Sequence, residues 1–351
     1  MDIFIDKAGM QLRMEGSKCL RLEEGGQLIK RIPLNYVSSV VCSARTGLDT
    51  LLIQRLADHA IPFTVLPGRY SASTIQLQNA QHTGIRVRMR QYQAHFDAHE
   101  RISLARELVL KKILVGAVVV AAFCRQGVRL SASAEALCQT DDWNTRLVST
   151  TTLAGLMGLE GHHGRIWFAL LREIIPTVWG FETRNRRPPK DAVNALLSLG
   201  YTLMLAEVKA AVAHRGLDAG LGFLHEPVAG RPALALDLLE LFRPVLDFHV
   251  VMQLWNGQFA EADFYPEGEG VLLTKDGRGK FYVGWADLKA APLTALPPCA
   301  HLWSFTRCGV EDAGLSLAKL AYTAADTFAG RLLGGIEGQP DPDQQEVEFD
   351  D

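Results

Sequence analysis

The stretch Gly222-Phe223-Leu224-His225-Glu226-Pro227, followed by Leu234-Ala235-Leu236-Asp237-Leu238-Leu239-Glu240-Leu241-Phe242-Arg243-Pro244, carries the most information in the chain. A histidine sits in a turn bounded by glycine and proline, and a very apolar helix bearing two acids comes next. Residues three apart in a helix lie on one face, so Asp237 and Glu240 point the same way among leucines. Upstream, Glu160 in Leu159-Glu160-Gly161 interrupts an apolar stripe made by Leu153, Leu156, Trp167, Leu171 and Ile174. Imidazole nitrogen and carboxylate oxygen together suit a divalent cation engaged in hydrolysis or transesterification.

Outward from this stretch, apolar periodicity predicts helices over residues 98–126, 131–139, 149–175, 191–215, 232–256 and 312–333. Pro176 ends the third, and Asp191 after Pro188-Pro189 is a good N-cap for the fourth, with Gly216 as its stop. The first 45 residues instead alternate apolar and polar in short runs split by turns such as Glu24-Gly25-Gly26. An amphipathic helix over 47–60 and strands at 62–66 and 74–77 complete that part. The expected fold class is α+β. A small N-terminal β-rich domain spans 1–85 and a linker 86–97. A larger all-α catalytic domain spans 98–336, and an acidic disordered tail 337–351. Phe281 to Trp285, in a Gly/Pro-rich stretch, reads as a short strand or loop.

The chain of 351 residues has a formal net charge of −3, so charge alone does not announce a nucleic-acid binder. The last fifteen residues hold seven acids and no base, however, and the rest of the chain is +4 without them. A mildly basic body fits local DNA patches. The six cysteines form no C-x-x-C pair, which reads as reduced thiols and a cytoplasmic setting. Cys299 and Cys308 flank His301 without the spacing of a zinc ribbon. Met1 to Ile5 lacks a secretory signal, and the run Leu114–Phe123 is short for a membrane span.

Each candidate has a plain structural reading beside the chemical one. Glycines at 155, 158, 161 and 164 weaken a helix by about 1 kcal/mol each, which implies close approach by another backbone, a helix or a DNA strand. Glu160 then either edges a tight helix contact or ligates a metal. His225 is either a turn histidine or a ligand. Asp237, Glu240 and Asp247 are either the solvated face of one helix or a clustered set. Clustered carboxylates repel unless a cation intervenes, so removing Asp237 is expected to relieve repulsion in the metal-free chain. Arg184, Arg186, Arg187 and Lys190 form a basic patch that suits phosphates, or a solvated loop. Tyr201 either stacks on a splayed base or sits in the core. A zinc-protease H-E-x-x-H is excluded by Ala229, and a di-iron site by the lack of a second Glu-x-x-His.

These segments resemble the CRISPR-associated spacer integrase family, Cas-one. The resemblance begins at Arg31-Ile32-Pro33-Leu34 and runs through Leu159-Glu160-Gly161, Arg187-Pro188-Pro189-Lys190-Asp191-Ala192-Val193-Asn194 and Gly200-Tyr201. It ends with the histidine turn and the Asp237–Pro244 segment quoted above, and so covers roughly residues 1–255. It implies Glu160, His225 and Glu240 as ligands of Mg²⁺ or Mn²⁺, with Asp237 a further catalytic acid in the outer shell or near the reacting phosphate. It matches Tyr201 to a family tyrosine, and with the charged patch Arg184, Arg186, Arg187 and Lys190 this residue is expected to contact DNA. His162 and His163 depart from the family, where small residues are common, and are expected as exposed structural histidines.

The resemblance further implies an endonuclease and integrase of CRISPR adaptation, in antiviral defence. Such an enzyme inserts double-stranded prespacer DNA into CRISPR array DNA by attack of a 3′-hydroxyl. The implied assembly is a homodimer, two of which are bridged by the small Cas-two partner in a heterohexamer, with no membrane involved. Two alternatives use the same residues: a metal-dependent nuclease of branched DNA, with water as nucleophile, and a non-catalytic DNA-binding scaffold. The absence of a G-x-x-x-x-G-K-[ST] loop accords with a transesterification that needs no nucleotide hydrolysis.

Overall fold

Period-two alternation builds the N-terminal part as strands β1 (Asp2–Ile5), β2 (Met10–Glu15), β3 (Cys19–Glu24), β4 (Gln27–Pro33), β5 (Ser39–Cys42) and β6 (Gly47–Leu48). Helix α1 (Thr50–Asp58) and strands β7 (Phe63–Val65) and β8 (Ile75–Leu77) follow. The computed structural model describes residues 1–59, 61–66, 74–77, 84–185, 188–290, 300–305 and 316–334. Arg186, Arg187, Cys299, Cys308, residues 291–298 and the acidic tail lie outside the described residues.

The strands form two four-stranded sheets, ordered β1-β5-β7-β8 and β4-β3-β2-β6. In the first, β1, β5 and β7 are parallel and β8 returns antiparallel; in the second, β2, β3 and β4 are an antiparallel meander. Leu12, Leu20, Val40, Leu52 and Leu56 are fully buried and form the centre of the core between the strands and α1. Asp49 caps α1, accepting from the Leu52 N–H at 2.6 Å. Edge strand β4 is exposed at all but one position and carries Lys30 and Arg31, which blunts its free edge.

Two units divide the chain: Met1–Gln81 with Phe281–Ala286, and His82–Lys280 with Asp287–Asp351. The second is mostly helical: α2 (Ile85–Phe96), α3 (Ala98–Arg125), α4 (Ala132–Glu135), α5 (Thr140–Ser149), α6 (Leu153–Ile174) and α7 (Ala192–His214). They are followed by α8 (Ala233–Leu239), α9 (Arg243–Trp255), the strands β9 (Phe264–Glu267) and β10 (Gly270–Leu273), α10 (Lys275–Ala290) and α11 (Leu317–Leu333). Helix α7 is long and apolar enough to cross a membrane by composition, but 67% of that window is buried inside the fold.

Four expectations need correction. Residues 86–96 are helical rather than a linker, with Asp97 the extended joint before α3, and α2 holds the turn that leads to His225. Gln91 Nε2 donates to the Asp218 and Leu221 carbonyls at 2.8 Å, and Arg88 Nε donates to Gly216 at 3.1 Å. The helical unit is not all-α, because β9 and β10 pair as an antiparallel hairpin about Gly268, whose φ of 62° suits glycine. Residues 281–285 belong to α10, where the Thr274 hydroxyl accepts from the Gly277 N–H at 3.1 Å and caps the start. The helix expected over 232–256 is two helices. Pro244 has no N–H, and its ring clashes with the carbonyl four residues back, at Glu240. The chain between α8 and α9 accordingly makes tight turns, with Glu240 N–H to Asp237 O at 3.3 Å and Leu241 N–H to Leu238 O at 3.2 Å.

Candidate functional site

That break between α8 and α9 decides where each acid points. Asp237, Glu240 and Asp247 are all buried, at 0%, 4% and 1% exposure, so the solvated-face reading is excluded. They serve three different neighbourhoods. Asp237 turns to the histidine turn, Glu240 to Lys112 of α3 and Arg243, and Asp247 to α6 and α7.

Asp237 accepts four hydrogen bonds. Its Oδ2 takes the Phe223 and Leu224 N–H groups at 2.5 and 3.0 Å. Its Oδ1 takes the His225 N–H at 2.9 Å and meets His225 Nδ1 at 2.6 Å. With Nδ1–H committed to a carboxylate, Nε2 is the nitrogen that remains as an acceptor, the arrangement that orients ligating histidines. Gly222 is required there: a Cβ would lie 2.8 Å from both the Ala233 backbone carbon and Asp237 Oδ2. His95 Nδ1 meets the Gly222 carbonyl at 2.8 Å, and Arg101 reaches the Phe223 carbonyl at 3.2 Å and Glu226 at 2.8 Å. The expectation that Asp237 repels its neighbours is corrected, because four donors compensate its charge.

Glu160 of α6 and Glu240 at the end of α8 meet on a residue that the sequence reading missed, Lys112 of α3. Its ammonium is bonded to Glu160 Oε1 and to Glu240 Oε2, the latter at 2.6 Å. Arg243 adds a contact to Glu240 Oε1 at 3.1 Å. Burial pushes the Glu240 carboxyl up, but Arg243, then Lys112, and lastly His225 outweigh it and hold the group down to about 2. Burial likewise opposes the Lys112 charge, yet Glu240 and then Glu160 keep its ammonium above the usual lysine range. The available signal was the pair Lys111-Lys112 inside the apolar run Leu108 to Val120.

Among the described residues no three His, Cys, Asp or Glu side chains converge closely enough to hold an ion as they stand. The chemistry of the set nonetheless fits a divalent cation. Two carboxylates from α6 and α8 already enclose a positive charge, the Lys112 ammonium. The imidazole oriented by Asp237 is also among the groups that hold the Glu240 carboxyl down. Lys112, bonded to both carboxylates, offsets their mutual repulsion.

Beside these groups opens a cleft of about 580 Å³ lined by Lys112, Glu160, Arg165, Arg172, Arg184 and Arg243, among others. Gly161 and Gly164 line it too, and a Cβ on either would meet open space. Only Gly155 of the four α6 glycines is crowded, by Thr150 Cγ2 at 2.6 Å, so packing within the chain does not account for the series.

The expected DNA-contact residues divide. Lys190 is exposed. Arg184 is held within the fold, donating to Asn194 Oδ1 at 2.8 Å and Ser198 Oγ at 3.0 Å. Tyr201 does not offer its ring to a base. It is 8% exposed, its hydroxyl donates to Asp247 Oδ1 at 2.5 Å, and the Arg184 and Arg243 guanidiniums lie 5.3 and 5.0 Å from its ring centre. Trp167 Nε1 donates to the other Asp247 oxygen at 2.7 Å. Burial pushes the Asp247 carboxyl up to about 6 against these two donors. Asn194, fully buried, ties down the turn before it: Oδ1 accepts from the Asn185 N–H at 3.0 Å and Nδ2 donates to Thr183 O at 2.9 Å. His163 is buried rather than exposed, and His162 lies half-buried against Arg165 at 3.2 Å.

With this geometry described, comparison with known proteins is specific. Residues 3–287 match the model of the family described as CRISPR associated protein Cas1. The CRISPR-associated endonuclease Cas1 1 of Thermodesulfovibrio yellowstonii is 31% identical over 284 residues, covering 80% of this chain and 88% of that protein. The endonuclease Cas1 2 of Rhodospirillum rubrum is 32% identical over 359 residues, 96% of each. A Cas4/Cas1 fusion of Geobacter sulfurreducens is 32% identical over 295 residues, and the match covers 81% of this chain and about half, 52%, of the fusion. In fold, a CAS1 protein from Thermotoga maritima has a TM-score of 0.77 at 20% identity, covering 97% and 100% of the two chains. A casposase bound to integration product scores 0.79 at 19% identity, covering 100% and 96%.

Proposed function

The chain belongs to the CRISPR-associated Cas1 family, and on that premise we propose that it is a metal-dependent endonuclease and integrase that joins prespacer DNA into a CRISPR array. The observation that carries the reading is the meeting of Glu160 and Glu240, eighty positions apart in sequence, around one positive charge beside an imidazole fixed by Asp237.

In this reading Glu160, Glu240 and His225 Nε2 hold Mg²⁺ or Mn²⁺. Such an ion, when bound, supplies Lewis-acid polarisation of a phosphodiester and stabilisation of the oxygens that enter and leave. Asp237 fixes the tautomer and orientation of His225 and touches no substrate. Arg243 keeps the Glu240 carboxyl ionised and lines the cleft. Arg165 and Arg172 present guanidiniums to the phosphates of an incoming strand, and the open faces of Gly161 and Gly164 let its backbone lie close to α6. A prespacer 3′-hydroxyl forms a new phosphorus–oxygen bond as the array strand's 3′-oxygen leaves and takes up a proton. One phosphodiester replaces another, so no nucleotide is consumed. Water in place of the 3′-hydroxyl gives cleavage with the same groups.

We further propose a cytoplasmic homodimer, two copies of which a Cas2 partner bridges. The fold's likeness to a chain of a Cas6-RT-Cas1–Cas2 complex, at a TM-score of 0.74 over 95% of this chain, supports an assembly of that kind.

Strand joining with labelled prespacer ends and a supercoiled array plasmid tests the reading. Glu160→Gln and His225→Gln are expected to abolish joined products in Mg²⁺ and Mn²⁺ while binding DNA within about threefold of wild type, since phosphate contacts elsewhere carry affinity. Joining by Glu160→Gln at the wild-type rate refutes the assignment, and cleavage without joining favours the nuclease.

A further inference from the structure

Two residues of the site have no role in the reaction just described. One is Lys112. The other is His163, which is 2% exposed, lines the same cleft, and has no hydrogen-bond partner at either ring nitrogen among the described residues. A polar group buried this deeply without a hydrogen bond is costly; its ring lies edge-on to Trp143, 5.2 Å between ring centres.

Their placement relates them. Lys112 and Gly116 are one turn apart on the same face of α3. Where Gly116 lacks a Cβ, the His163 ring comes up against α3, its Cε1 3.4 Å and its Nε2 3.7 Å from the position that a Cβ would take. The imidazole therefore stands about one helical turn along α3 from the root of the Lys112 side chain, a span a four-carbon stem covers. Burial, then the Lys112 charge, press the His163 pKa down to about 3, so its ring is neutral and keeps an acceptor nitrogen.

We propose that Lys112 is the resident cation of the metal site, displaced when a divalent ion binds between Glu160 and Glu240, and that His163 is the acceptor that takes its ammonium. The inference rests on the metal reading of these two glutamates. The buried Glu240 and the half-buried Glu160 repel each other without a cation, so Lys112 holds the metal-free fold together at the cost of competing with the metal. His163 lowers that competition by giving the displaced ammonium a partner. The site thus has two occupied states, and the lysine is satisfied in both.

The test is Mn²⁺ binding to the full-length protein, followed by the loss of the free-ion EPR signal, for wild type, Lys112→Met, His163→Phe and the double variant. Lys112→Met is expected to bind at least about tenfold tighter, equivalent to about 1.4 kcal/mol, and to melt lower than wild type without metal. His163→Phe is expected to bind about fivefold weaker. In the double variant the His163 effect disappears, because no ammonium needs an acceptor. Should Lys112→Met fail to fold, wild type answers alone: amine-reactive labelling of Lys112, read by peptide mass spectrometry against the exposed Lys275 as internal reference, is expected to rise on saturation with Mn²⁺. If wild type binds no Mn²⁺ at all, the metal reading falls. If it binds and Lys112 labelling stays constant, or if His163→Phe weakens binding equally with and without Lys112, this inference alone is overturned.

Discussion

Asp237→Ala removes the acceptor that four donors share, and its cost follows from which of them water can reach. Phe223 and Leu224 are 0% and 4% exposed, so their N–H groups are left buried without a partner, while the half-buried His225 can find solvent. An unsatisfied buried donor costs about 1–3 kcal/mol. Two such donors and a partial third amount to about 3–6 kcal/mol, a large part of the about 5–15 kcal/mol that holds a domain folded. Asp237→Asn keeps the shape but has one acceptor oxygen, so its NH₂ must face one of the two donor pairs, and about half the loss is expected. Urea unfolding followed by circular dichroism, with m compared between variants, measures both. Joining falls as well, by about 10–100-fold in the variant that still folds, because His225 loses the group that orients it. A Asp237→Ala protein within about 1 kcal/mol of wild type, or more stable than it, refutes the reasoning and restores the view that this acid mainly repels its neighbours.

Gly222→Ala is expected to lower the melting temperature and to weaken Mn²⁺ binding together, because the new methyl meets Ala233 and Asp237 at under 3 Å; a neutral effect on both means the turn yields freely. Asn194→Ala is expected to cost about 2–4 kcal/mol through the buried bonds it makes to Thr183, Arg184, Asn185 and Asp191, seen in urea melts. Arg165→Ala and Arg172→Ala are each expected to reduce the salt dependence of DNA affinity by about one unit of slope, and an unchanged slope removes that residue from the phosphate track. His163 is neutral when folded down to about 3, against 6.5 when unfolded, so it contributes stability above 6.5 that is lost as pH falls toward 3. His163→Phe is therefore expected to lose less stability than wild type between pH 6.5 and 4, and parallel pH curves contradict its burial as a neutral ring.

The sequence reading caught what local pattern encodes. Alternation located β1 to β5, β7 and β8, though β6 lay inside the stretch expected as the start of a helix, and the cap Asp191 marked where α7 begins. It failed where a distant partner overrides local preference. Pro244 is a local signal for a break, but the run of leucines from 234 to 241 outweighed it, and the break sends Asp237 and Glu240 to different partners although they are three residues apart. Residues 86–97 carry three arginines and a weak apolar face, which resembles a linker, and 86–96 are helical because Gln91, Arg88 and His95 find their partners in the 216–222 turn about 130 positions away.

The same distinction separates the two halves of the candidate site. Glu160, His225 and Glu240 stood out as candidates because an acid or a histidine among leucines contradicts its surroundings, but local pattern left a plain structural reading open beside each, and the family resemblance was what singled them out as ligands. Lys112 contradicts its surroundings equally, in a helix whose neighbours are Leu, Val and Ile, yet a lysine suggests a solvated tip before it suggests a site. Its meaning exists only once α3, α6 and α8 are packed and the ammonium lies between two carboxylates. His163 is the complementary case. Its sequence neighbours made it one of a pair of ordinary surface histidines, and only the absence of a hydrogen-bond partner among the described residues for so buried a ring makes it informative. A buried charge that is already paired, next to a buried acceptor that is not, is what a site with two alternative occupants requires. Neither half of that arrangement is readable before the helices come together.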